Sequence, residues 1–177
     1  LNQEWGFDPS SISLVLLSHA HIDHSGLLPK LVKDGFKGSI YCTTATADLV
    51  KLMLIDSAHI QENDVKHINK RRLRDDRPLV EPLYTSEDAE KVFELLVPVK
   101  YNEQLKVDDQ ISVIFSDCGH ILGSAAINIR IEEEGRTKTI CFSGDVGRYR
   151  DMILRAPDVF PQADYIIMES TYGNKLH

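Results

Sequence analysis

Three histidines and an aspartate fall within six residues, His19-Ala20-His21-Ile22-Asp23-His24, directly behind the apolar segment Ile12-Ser13-Leu14-Val15-Leu16-Leu17. Residues 13–18 read as a buried strand, so the cluster sits where a strand ends and a loop begins. Imidazole and carboxylate are good ligands for zinc and similar first-row ions. In extended chain alternate residues face one way. His19, His21 and Asp23 are therefore expected to converge, and His24 to join them as the chain turns through Ser25-Gly26. A metal-free surface loop would explain a lone His-x-His, but four ligand-type groups behind a strand favour a metal site.

Two further strand ends carry residues of the same kind. In Asp117-Cys118-Gly119-His120-Ile121-Leu122-Gly123-Ser124-Ala125, His120 lies among small residues, where backbone can approach a ligand or ion. In Phe142-Ser143-Gly144-Asp145-Val146-Gly147-Arg148, Asp145 is flanked by Gly144 and Gly147. Each segment alone has a plainer explanation, a strand-end turn with an Asx cap. Together they bring the candidate metal ligands to six: His19, His21, Asp23, His24, His120 and Asp145. One tetrahedral catalytic zinc uses about three protein ligands and a water. Six are too many for one ion and nearly enough for two, with Asp145 the natural bridge. Two ions about 3.5–4 Å apart would share a hydroxide, the expected nucleophile.

The 177 residues, 42% hydrophobic, are enough for one domain with a mostly aliphatic core. A net charge of −7 argues against grip on nucleic acid through bulk positive charge. Cys42, Cys118 and Cys141 are widely spaced, with no Cys-x-x-Cys pair. They read as buried thiols of a reducing compartment, and the expected location is cytoplasmic. No apolar run nears the ~20 residues of a membrane span, so no membrane partner is expected. Leu1-Asn2-Gln3-Glu4-Trp5 has neither the basic nor the apolar region of a signal peptide. The first residue is not Met, and a piece of a longer protein is expected.

Asp8 before Pro9 reads as an N-cap with Pro at the first helical position. Leu27, Leu28, Leu31 and Val32 have helical spacing, ending near Gly35. Ser39 to Cys42 is a short strand. Thr44 to about Lys70 is a long helix, apolar at Leu49, Leu52, Met53, Ile55, Ile60 and Val65. Lys66, Lys70, Arg71, Arg72, Arg74 and Arg77 then interleave with Asp75 and Asp76. That run could hold the backbone of a single strand, or be a solvated helix face with internal ion pairs. Thr85-Ser86-Glu87-Asp88 caps a helix to about Leu96. After Pro98, strands are expected at 105–108, 111–117, 125–132 and 137–143, with Glu133-Glu134-Gly135 as a hairpin turn. Ala163 to Glu169 reads as a last strand that buries Tyr165, Ile166, Ile167 and Met168. His59 and His67 are expected at the surface. The mix suits a layered α/β sandwich better than a doubly wound sheet.

These residues resemble the metallo-β-lactamase superfamily. His19-Ala20-His21-Ile22-Asp23-His24 is similar to its second motif, His120 to its third and Asp145 to its fourth. Gly119-His120-Ile121-Leu122-Gly123-Ser124-Ala125, Ser143-Gly144-Asp145-Val146-Gly147-Arg148 and Glu169-Ser170-Thr171-Tyr172-Gly173 resemble one branch, the β-CASP nucleic-acid-processing enzymes. The resemblance implies an incomplete αββα sandwich, residues 1–177 forming part of a metallo-β-lactamase domain. The N-terminal strands, the β-CASP cap and the C-terminal return would lie outside it. His19, His21 and His120 would bind one zinc, Asp23 and His24 a second, and Asp145 would bridge them. The second zinc would lack one histidine. Glu169 would be the acidic residue that supports a leaving-group histidine; without the resemblance, a strand-end acid capping the next turn is the simpler view. Nothing assigns His177 a role.

The implied activity is ribonuclease cleavage of single-stranded RNA, with Asp23, Asp145 and Glu169 as the catalytic acids. Absent strands would leave a sheet edge open, which favours a homo-oligomer. Two rivals remain. One is a hydrolase of a thioester, lactone or β-lactam on the same metals. The other is a non-catalytic RNA-processing scaffold, disfavoured because every ligand position within the chain is filled.

Overall fold

The structure is a computed structural model that describes residues 4–171 and 173–175. Backbone contacts divide the chain into two compact units. One comprises Leu1–Tyr41 with Ala47–Val97, the other Cys42–Thr46 with Pro98–His177.

In the first unit, the Asp8 side chain accepts the Ser10 N–H and opens a 3-10 turn, Pro9–Ser11, with proline in its first turn. Strand β1 (Leu14–Leu16) pairs in parallel with β2 (Ser39–Thr43). Helices α1 (Ile22–Ser25) and α2 (Leu28–Lys33) form the crossover that parallel pairing requires. The chain leaves α2 through Gly35 at φ 120°, as the spacing predicts.

Helix α3 (Thr44–Arg74) runs past the expected end near Lys70. Its buried stripe is Ala47, Val50, Leu54 and Ala58, whereas Leu52 is 71% exposed and Ile60 54%. The helical reading holds, and the structure shows which apolar residues face inward. Apolar residues occur around most of this helix, so periodicity alone leaves the inward face open. Tertiary bonds choose it. Tyr84 meets Ser57 (hydroxyl oxygens 2.8 Å apart), Glu62 Oε1 accepts the Ser86 N–H at 2.9 Å, and Asn69 brackets the Val80 backbone. The segment 78–86 is thereby tied along one side of α3.

Helix α4 (Ser86–Phe93) starts at a complete capping box between Thr85 and Asp88. It stops short of Leu96 because β3 (Leu96–Val99) begins there, ahead of Pro98 rather than after it. Pro98 is tolerated because β3 is an edge strand of the three-stranded sheet β1-β2-β3.

The second unit holds β4 (Gln104–Lys106), β5 (Ile111–Asp117), β6 (Ala125–Glu133), β7 (Arg136–Phe142) and β8 (Tyr165–Ile167), in that spatial order. All neighbours are antiparallel except β7 and β8. Glu134 (φ 52°) and Gly135 (φ 73°) make a two-residue turn with both φ positive, which matches the right-handed strand twist. Val113, Phe115, Ala126 and Ile127 are buried.

The last strand is shorter than expected, and Tyr165, Ile166, Ile167 and Met168 are each more than half exposed rather than buried. An apolar run signals a strand but not whether a layer covers it; β8 lies at the sheet edge beside β7 alone. The three cysteines are buried thiols, and His59 and His67 are exposed, both as expected.

The inward face of α3 is directly testable. Leu54→Ala should cost about 2–5 kcal/mol of unfolding free energy in urea titrations, and Leu52→Ala less than about 0.5 kcal/mol. Equal losses would contradict the assigned face.

Candidate metal centre

In the first unit, the Leu17 N–H donates to the Tyr41 carbonyl at 2.9 Å, so the chain stays paired beyond β1. Ser18 and His19 follow, both buried, His19 with no exposed surface. Ser18 Oγ lies 3.1 Å from His19 Nδ1, and His19 Nε2 lies 3.1 Å from His21 Nδ1. The His24 ring sits 4.1 Å from that of His19, centroid to centroid. These three imidazoles come together as the spacing predicts.

Asp23 is placed differently. Extended chain ends at His21, whose carbonyl accepts the Ser25 N–H at 2.9 Å, and Ile22–Ser25 is a turn of helix instead of a loop. The Ser25 hydroxyl closes the turn on the Ala20 and His21 carbonyls. The two-residue alternation therefore stops before Asp23. Its side chain is 76% exposed, with Oδ2 3.6 Å from His24 Nε2.

In the second unit, the β5–β6 and β7–β8 loops are stitched together. Gly147 N–H donates to the Cys118 carbonyl at 2.8 Å, and the Cys118 thiol to the Asp145 carbonyl at 3.1 Å. Burial pushes the Cys118 thiol pKa up, which keeps it a donor. The Ser124 hydroxyl accepts the His120 and Ile121 N–H groups, and Thr43 and Thr46 both donate to the Gly123 carbonyl. His120 Nε2 then lies 3.4 Å from Asp145 Oδ2. Glu169 Oε1 accepts the Val146 N–H at 2.8 Å, which holds the backbone next to Asp145.

The donor chemistry and spacing fit a metal. Two ligand atoms about 2.0–2.1 Å from a tetrahedral zinc stand roughly 3.3 Å apart. The His19–His21 and His120–Asp145 separations bracket that value. Each unit thus carries a metal-competent pair.

Some contributors were not singled out from the sequence. Ser18 orients the deepest imidazole, and its only signal is its place before His19. Cys118 is the buried thiol that the sequence suggests, and in the fold it also anchors the Asp145 loop. His177 and Tyr172 lie outside the described residues.

A family model for the metallo-beta-lactamase superfamily domain matches residues 3–171. The chain belongs to the metallo-beta-lactamase superfamily, and its mixed α/β elements agree with the fold class expected. It is 34% identical over 173 residues to Ribonuclease TTHA0252 of Thermus thermophilus, covering 98% of this chain and 35% of that protein. It is 33% identical over 170 residues to transcription termination factor FttA of Methanosarcina mazei, covering 95% and 24%. The FttA of Thermococcus kodakarensis is likewise 33% identical, over 169 residues, covering 94% and 24%. The chain therefore spans about a third or less of the length of these relatives.

Gly147 tests the stitched loops. A Cβ there would overlap the Gly119 carbonyl oxygen, a backbone atom that cannot swing aside. Gly147→Ala should lower the melting temperature and cut zinc retained after dialysis, read by elemental analysis. Unchanged melting with full zinc content would show that the loops do not depend on this approach.

Proposed function

We propose that the two donor pairs belong to one metallo-β-lactamase domain and serve one metal centre. In this reading, the protein that contains the chain is a β-CASP-type, zinc-dependent ribonuclease of the cytoplasm. The observation that carries it is a single superfamily match, residues 3–171, running through both metal-competent pairs. The His/Asp donor set favours zinc. RNA as substrate is supported by the relatives named ribonuclease and transcription termination factor, and by the Glu169-Ser170-Thr171 run. No helix of the described residues is long and apolar enough to cross a membrane.

His19, His21 and His120 would hold one ion, Asp23 and His24 a second, and Asp145 both. Metal held there would supply Lewis acidity, activating water and neutralising charge that builds on phosphoryl oxygens. The chain's own residues supply orientation. Ser18 fixes the His19 ring, as partners beyond the ligands commonly do. Cys118 and Glu169 both hold the Asp145–Val146 peptide group, the thiol at its carbonyl and the carboxylate at its N–H, and Gly119 and Gly147 let the two loops close on each other.

The test uses the full-length protein with zinc. Single-stranded RNA should be cleaved, Asp145→Ala should abolish cleavage, and a chromogenic ester should be left intact. Ester turnover without RNA cleavage would favour a hydrolase of another substrate class; zinc-free, inactive protein would favour the scaffold.

A further inference from the structure

The exposed face of α3 carries charge that the proposed metal chemistry does not use. Lys66, Lys70 and Arg74 recur every four residues, so they stack on one face about 6 Å apart along the axis. All three are exposed, as are Arg71 and Arg77 beside them. The alternative raised by the sequence, a face neutralised by internal ion pairs, is not what forms. Among the described residues none of these five cations has a carboxylate within ion-pair distance.

The reason is visible in the packing. Glu62, the acid one turn before Lys66, is turned away to accept the Ser86 N–H and hydroxyl. Those bonds lower its pKa, the Ser86 backbone bond most, with smaller contributions from the His59 and Lys66 charges, so Glu62 offsets Lys66 only in part and without an ion pair. The neighbours of Lys70 at four residues on either side are Lys66 and Arg74, which repel it. Attraction to the helix dipole accounts for cations in the last turn, Arg71 to Arg74, but it fades before Lys66. The column therefore persists against its own repulsion. It is also firmly mounted: Asn69 and Arg72, on the same stretch of helix, bind the backbone of Val80 and Pro78.

We infer that the Lys66–Lys70–Arg74 column is a phosphate-binding ridge for a single-stranded nucleic acid backbone. A polyanion relieves the repulsion and supplies the missing counter-charge. The rest of the chain is net acidic, so the ridge is the place where such a strand can settle. A row of cations on a firm helix tracks a backbone without reading sequence. The choice of RNA as the strand rests on the proposed ribonuclease function; the ridge itself does not need the metal centre.

The experiment separates the two. Binding of fluorescently labelled oligouridine to the 177-residue chain is followed by anisotropy in EDTA, where metal chemistry is silent. Binding should weaken steeply with salt. The triple variant Lys66→Gln, Lys70→Gln, Arg74→Gln should bind at least tenfold more weakly, with a log–log salt slope shallower by about 2, since each cation–phosphate contact on a single strand contributes roughly 0.7. The triple variant should melt no lower than the parent, because like-charge repulsion is removed; a merely structural role would lower melting. Unchanged binding by the triple variant, or no binding by the parent at about 50 mM salt, would overturn the ridge and leave the ribonuclease proposal standing. No RNA cleavage by the zinc-loaded full-length protein, with oligouridine binding still lost in the triple variant, would do the reverse.

Discussion

A fully buried imidazole is the constraint around which the first unit is organised. Burying a polar ring costs free energy unless both nitrogens find partners. His19 has no exposed surface, and its nitrogens face Ser18 Oγ and His21 Nδ1. Those partners are adjacent and alternate residues at the end of β1, so the backbone must stay extended as far as His21. The immediate switch to helix at Ile22 then brings the His24 ring back against His19. In the second unit the donors are only partly buried and are placed by loops. There His120 and Asp145 are held at 3.4 Å by a thiol, a serine hydroxyl and a glutamate that satisfy the surrounding backbone.

Much of this was legible in the sequence because it is local. The Asp8-Pro9 turn, the Thr85–Asp88 capping box and the Glu134-Gly135 hairpin are each set by a few adjacent residues, and the structure has all three. Strand β5 occupies the expected residues, β6 runs one residue longer than expected, and β7 is shifted one residue earlier at both ends. The convergence of His19, His21 and His24 follows from close spacing in the same way.

What the sequence did not disclose is decided at a distance. The inward face of α3 depends on Tyr84, Ser86 and Val80, which return along the helix from later in the chain. The exposure of β8 depends on what lies beside a sheet edge. Asp23 lies not in extended chain but in a helical turn, where the Ser25 hydroxyl bonds the Ala20 and His21 carbonyls. The roles of Ser18, Cys118 and Glu169 are likewise fixed by partners that no motif names.

We propose one metal centre for His19, His21, His120 and Asp145. Zinc affinity of the parent, His21→Ala, Asp145→Ala and the double variant tests it most directly, by competition with a chromogenic chelator. A shared centre predicts a large loss for each single variant and little further loss when they are combined. Two independent losses that add in full, or zinc binding unaffected by either substitution, would contradict it.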